Sequence, residues 1–385
     1  MTPSDLATHP NPDLQVGPDQ RPRWNSAPHR RHGFHTLHRL TRYAQGYRAA
    51  RVLDLRLSAD LSIAQREDVR RHTASPWFSA MVVARGNRIL FETYAPDFAA
   101  DSPHSIMSIS KMSMNLIIGR LHAEGRLALE EEVGAILPWI GPGYAHARLQ
   151  DVLNMNVLNA YSEDYSDPNT SAFLQEVSCG MRLPPEGVAE PATKDFLAGI
   201  GLAPGRTDCA NPTGSCLYRS ANTDVLACVA EVRGGRAMGL WLADLADAAG
   251  VEGVLHMACD RSGFPAFNGG ICLTARDLAR YGLIFARGGI GVDGRAIGSA
   301  AFLQETRAGG IPLLPPRQHL RYSNQTNTNG RWIGHGGYGG QYLVADPETG
   351  TVALLLSVLQ DEAGYDAAWY PPVIEMLADI CTGSE

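Results

Sequence analysis

The chain has 385 residues, 44% of them hydrophobic and 19% charged, with a formal net charge of −7. This is the make-up of a soluble globular protein with ample length for a sizeable core, and the acidic balance speaks against a nucleic-acid binder, which would carry a basic field. No stretch is long and apolar enough to span a bilayer.

Residues 1–32 are polar and carry six prolines, and they read as an extended N-terminal arm. No apolar run precedes a cleavage-like site there, so a secretory signal is not expected and a cytoplasmic location is. Phe78–Val83 and Ile89–Tyr94 flank Arg85-Gly86-Asn87, which predicts a β-hairpin. Ser108–Glu124 is apolar at helical spacing, with Gly125 placed to end it. Residues 126–265 mix helical segments with long loops rich in Gly, Pro, Asn and Asp, and Asn222–Val232 and Leu240–Ala249 are the expected helices. Thr274 is the expected N-cap of another, whose apolar positions are Leu278, Tyr281, Leu283 and Phe285. Tyr342–Ala345 and Thr351–Leu356 flank the turn residues Asp346–Gly350, a second hairpin, and a last helix is expected over Pro371–Ile380.

The predicted class is α+β. Early and late strands (33–125 and 266–385) form one antiparallel sheet flanked by helices, a mainly helical region (126–265) is inserted between them, and the active site lies between the two. Gly289–Gly294 matches G-x-G-x-x-G but follows a helix, without a βαβ unit, and reads as a loop. The seven cysteines are scattered and never in C-x-x-C. Free thiols in a reducing compartment are expected; no metal and no cofactor are.

Only two of the 33 basic residues are lysines, and one of them, Lys111, stands three residues after Ser108 in Met107-Ser108-Ile109-Ser110-Lys111. Arginine serves wherever a fixed charge suffices, whereas a lysine in a dry site can lose its proton. At i and i+3 on the first turn of a helix, hydroxyl and amine share one face, and the helix N-terminus favours both an oxyanion and a neutral amine. A serine alcohol activated by a desolvated lysine is a nucleophile. Two further stretches carry weaker signals. Tyr218-Arg219-Ser220-Ala221-Asn222 places a tyrosine just before a helix, where it can shuttle a proton. Gly334-His335-Gly336-Gly337-Tyr338-Gly339-Gly340-Gln341 enters the terminal hairpin with glycines that permit close approach.

Together, S-x-x-K, Y-x-[NS] about a hundred residues later, and an H-x-G strand near the end resemble the serine β-lactamase and penicillin-recognising superfamily. Met107–Lys111, Tyr218–Leu226 and Asn268–Arg280 look most like the 6-aminohexanoate-dimer (nylon-oligomer) hydrolases and their carboxylesterase relatives, over roughly residues 30 to 385. The resemblance implies a β-lactamase/transpeptidase-like fold, with Ser108 as nucleophile and Lys111 as base. Tyr218 would protonate the leaving amine or alkoxide, and the N–H groups of Ser108 and Tyr338 would form the oxyanion hole. Ser220 would hydrogen-bond Lys111 or the substrate. Tyr165 matches the family's mobile-loop tyrosine over the leaving nitrogen, and Asn268 falls within the third motif on the substrate side. Glu176 keeps the acid that faces a substrate ammonium, while Met181 replaces a ring. His335 stands where β-lactamases have the lysine that pairs with the substrate carboxylate, which argues against antibiotic hydrolysis. The expected activity is hydrolysis of small linear amides or short-chain esters through an acyl-enzyme. Acyl transfer from the same intermediate, or a binding module that has lost turnover, are the alternatives. No nucleic-acid or membrane partner is expected, and a homodimer would be unsurprising.

Overall fold

The computed structural model describes residues 23–165, 167, 169–361 and 364–383. A nine-stranded sheet forms its centre. The predicted early hairpin, Phe78–Arg85 and Arg88–Tyr94, pairs through Phe78–Arg85 with the late strand Thr351–Ser357, so that Val82 faces Leu354 and Val83 faces Ala353. Thr351–Ser357 pairs in turn with Gln341–Asp346, and that strand with Ile333–Gly337. Every pairing is antiparallel except that of the edge strand Arg56–Leu57 with Arg88–Tyr94. Both hairpin turns use the glycines expected of them: Gly86 has φ 61° and Gly350 φ 68°, where a Cβ is costly.

Helices cover the sheet from both faces. Ala275–Ala286, capped by Thr274 accepting from the Asp277 N–H at 3.1 Å, lies so close that a Cβ on Gly282 would stand 2.7 Å from Val352. Tyr370–Thr382 packs on the opposite face, where Tyr370 meets Gly336. The inserted region supplies Ser171–Ser178, Ala221–Gly234 and Met238–Ala249 among its helices. Gly289–Gly294 is a loop, as its context predicts.

The fold departs from the sequence reading in its sheets and in its N-terminal arm. A second, four-stranded sheet joins Tyr43–Tyr47, Leu255–Cys259, Ile271–Leu273 and His104–Ser105. Two of these strands have three residues or fewer, too short to leave a periodic signal. The expected arm is also not extended where it is described. Residues 23–29 turn and enter the helix Arg30–Leu40, and Trp24 is fully buried. Its backbone packs so tightly on that helix that a Cβ on Gly33 would meet the Trp24 carbonyl oxygen at 2.0 Å. Residues 1–22 of the arm lie outside the described residues.

Candidate active site

The short sheet delivers the S-x-x-K segment. Ser105 pairs with Cys272, the Ile106 N–H bonds Ile271 O at 3.0 Å, and the chain then turns sharply at Met107, whose φ of 47° is unusual for a side chain of that size. Met107–Lys111 is a 3₁₀ turn that runs into the α-helix Met112–Ala123. The expectation was a single helix from Ser108. The tighter turn eclipses i and i+3, which sets Lys111 directly over Ser108. Lys111 Nζ donates to Ser108 Oγ at 2.9 Å and also to the carbonyl of Asn268.

Lys111 is completely buried, and burial lowers its pKa from 10.5 to about 8. Glu163 and Asp224 pull the other way. The Asn268 carbonyl is itself held in place. Its side chain donates to Asp224 at 2.7 Å, and Gln175 donates to the same carboxylate oxygen at 2.6 Å. Asp224 is fully buried, its pKa pushed up to about 6 by desolvation, and its second oxygen has no partner. The motif containing Asp224 was visible in the sequence; its place beneath Asn268 was not, because 44 residues separate them.

Tyr218 lies just before the helix Ala221–Gly234, as expected. Its ring is 5.2 Å from Lys111 Nζ, and its hydroxyl is buried without a partner in full hydrogen-bonding geometry. Burial raises the phenol well above its usual range, and the nearby Ser108 hydroxyl draws it partly back. Ser220 does not reach Lys111. Its hydroxyl and its N–H go to Glu163, at 2.6 and 2.7 Å. Glu163 accepts a third bond from Tyr165 at 3.0 Å, and so ties its loop to the start of the helix. In the sequence this stretch also reads as a solvated acidic loop; three donors converging on one carboxylate show otherwise.

Tyr338 follows the strand Ile333–Gly337, which runs beside the 3₁₀ turn: a Cβ on Gly337 would lie 2.6 Å from Ile106 O. The Tyr338 ring packs on Tyr165 at 5.1 Å. His335 is buried and its pKa falls to about 3, mainly by desolvation and next by the charge of Lys111. Its Nδ1 lies 2.6 Å from Gly336 O, so the ring is neutral with the proton there, and Nε2 takes the Tyr322 hydroxyl at 3.2 Å. Glu176 is buried and paired with Arg182 at 2.7 Å, which balances the charge expected to meet a substrate ammonium. Arg182 was not singled out in the sequence, since only the fold of its loop brings it back on Glu176.

A cavity of about 510 Å³ joins these groups, with Ser108, Tyr165, Glu176, Tyr218, Ser220, Asn268, His335 and Tyr338 all on its wall. A hydroxyl bonded to a dry amine, beside an unpaired phenol, is an arrangement that can attack a carbonyl and return a proton to what leaves. Among the described residues no group of three or more His, Cys, Asp or Glu is placed to hold a metal ion, and no helix is long and apolar enough to cross a membrane. All seven cysteines are free and buried.

Residues 66–375 match the Beta-lactamase family model. The chain is 30% identical over 368 residues, 91% of each chain, to the 6-aminohexanoate-dimer hydrolase of Paenarthrobacter ureafaciens. Among solved structures it is similar to a Bacillus anthracis protein assigned as a 6-aminohexanoate-dimer hydrolase, with TM-score 0.80, 17% identity, and coverage of 95% of this chain and 98% of that one. A penicillin-binding protein homologue from Caulobacter crescentus aligns with TM-score 0.58 at 17% identity, over 87% of this chain and 98% of its own.

Proposed function

The chain belongs to the beta-lactamase family, alongside the 6-aminohexanoate-dimer hydrolases, and from that premise we propose that it hydrolyses small linear amides or short-chain esters through an acyl-enzyme on Ser108. The observation that carries the reading is the 2.9 Å contact between Ser108 Oγ, on the wall of the cavity, and the fully buried Lys111 behind it.

In the proposed sequence, neutral Lys111 takes the Ser108 proton as Oγ bonds to the substrate carbonyl carbon. The N–H groups of Ser108 and Tyr338 receive the oxyanion; losing one such donor typically costs about 100- to 1000-fold in rate. Tyr218 gives its proton to the departing nitrogen or oxygen, and the proton that Lys111 took from Ser108 restores it through a water molecule. Water then attacks the ester on Ser108, its proton going to the same base, and the acid product leaves with Ser108 reprotonated. The pairing of Glu176 with Arg182 supports neutral or modestly polar acyl groups over a required ammonium. The neutral His335 supports substrates other than the β-lactam antibiotics.

The test is intact-protein mass after exposure to p-nitrophenyl butyrate or an alkyl phosphonate, with the linear 6-aminohexanoate dimer as the amide substrate. A single adduct on wild type, absent in Ser108→Ala, is expected. Folded wild type that takes no adduct and turns over neither ester nor amide would refute the reading.

A further inference from the structure

A buried carboxylate stands behind the base and takes no part in the proposed proton transfers. Asp224 lies on the first turn of the helix Ala221–Gly234, whose partial positive charge favours an anion there. Its Oδ2 accepts from Asn268 Nδ2 at 2.7 Å and from Gln175 Nε2 at 2.6 Å. Gln175 is fixed in turn, its Oε1 accepting from the Tyr161 hydroxyl at 2.5 Å. The Oδ1 of Asp224 is buried and has no partner among the described residues. A carboxylate left half satisfied in a dry interior costs stability, and a neutral side chain of the same shape would serve the fold as well or better. Packing therefore does not explain the charge.

Its position does. Asn268 is bonded on two sides: its amide donates to Asp224, and its backbone carbonyl accepts from Lys111 Nζ. When Ser108 is activated, the Oγ–H bond breaks, an Nζ–H bond forms, and a full positive charge appears on a buried amine. A counter-charge fixed nearby beforehand stabilises that ammonium without any group having to move. Few other groups compete for this role. The Glu163 carboxylate is taken up by Ser220 and Tyr165. Burial keeps Cys179 and Tyr218 protonated and His335 neutral. Asp224 itself is faced by Cys179, Cys228 and Tyr144, which burial likewise keeps protonated. Burial dominates the two partners as well, lowering the pKa of Lys111 and raising that of Asp224; against it, the carboxylate draws the lysine up and the lysine draws the carboxylate down.

We propose that Asp224 is a positioning residue for the base: through Asn268 it fixes the carbonyl that receives Lys111, and its charge stabilises the ammonium formed when Ser108 is activated. The catalytic consequence rests on the acyl-enzyme reading; the coupling of the two buried groups rests on the contacts that Asn268 makes with both.

The chain has only two lysines, so protein labelled with carbon-13 at lysine Cε gives two titrating signals, and Lys194→Arg identifies that of Lys111. Lys194, paired with Glu231 at 2.7 Å, is the internal control. Asp224→Asn keeps an acceptor for both amides and removes the charge. The Lys111 midpoint should fall by about one pH unit, and the acid limb of kcat/KM should follow it to lower pH. Above the limb, kcat should drop about tenfold or more with little change in KM. The Lys194 midpoint and the melting temperature should hold. Gln175→Met removes one of the two donors that keep the carboxylate ionised, and should move the Lys111 midpoint the same way by less; it decides the question if Asp224→Asn does not fold. An unmoved or raised Lys111 midpoint in a folded variant overturns the proposal, as does a lower melting temperature with unchanged kinetics. The lysine signal is read without turnover. Absence of the Ser108 adduct would thus sink the hydrolase reading by itself, whereas an unmoved midpoint in protein that forms the adduct sinks only the role of Asp224.

Discussion

Lys111 has to be neutral to accept the Ser108 proton, and its burial decides where on the pH scale that happens. Below about 8 the amine is protonated. Hence kcat/KM should fall about tenfold per pH unit as pH drops below that value and level off above it. A flat profile through acid and neutral pH would remove Lys111 as the base. Lys111→Arg keeps the charge but cannot release the proton, and should cost roughly 10⁴-fold or more in kcat, measured on p-nitrophenyl esters. This much was legible from residue types alone. A lysine in an apolar run of an arginine-rich chain has few bland explanations, and the spacing to Ser108 fixes a shared face in either kind of helix. What the sequence could not say is what holds the amine. Asn268 lies 157 residues away from Lys111, and it contributes a backbone carbonyl, which every residue has.

Two elements carry the rest of the site, and each has a weak point. The helix Ala221–Gly234 starts at Ser220, whose N–H and hydroxyl both end on Glu163. Glu163→Gln should cost about 1 kcal/mol of stability by loss of that cap. Glu163 also holds the Lys111 pKa up, so its neutralisation should move the acid limb of kcat/KM to lower pH. A limb that stays in place or moves up would contradict the coupling. The strand Ile333–Gly337 reaches the 3₁₀ turn only because Gly337 has no side chain. Gly337→Ala should push Tyr338 off its position and lower kcat about 100-fold or more, with a smaller change in KM. The glycine-rich run announced close approach, but not what was approached. The acidic loop around Glu163 carried no signal of its own, since carboxylates in loops are usually solvated. Its function comes from the helix start that the fold brings to it.

At the scale of the molecule, the described N-terminal residues pack behind the site wall. Trp24 lies in one apolar cluster with Phe34, Met107 and Met181, and Tyr338 packs on that cluster. Trp24→Ala should cost about 3–5 kcal/mol and raise KM, read by thermal melting and ester kinetics together. A drop in melting temperature with unchanged kinetics would separate the cluster from the site. Large-scale architecture was readable where segments were long and periodic, as in the two hairpins and the helices after Thr274 and Tyr218. It was not readable where three-residue strands or an aperiodic, proline-rich start are ordered only by tertiary contact.

The order in which the sheet closes has a further consequence. Phe78–Arg85, near the beginning, is completed only by Thr351–Ser357, near the end, and the strand that leads into Tyr338 is paired through Gln341–Asp346. A nascent polypeptide still held by the ribosome carries Ser108 and Lys111, yet lacks the carbonyl beneath the amine and the strand Ile271–Leu273 that sets their turn until those residues have emerged, and lacks the strand beside the turn until the last hairpin has docked. On the proposed mechanism such a chain stays inert toward the esters and amides around it, and reactivity arrives only once these late segments have docked.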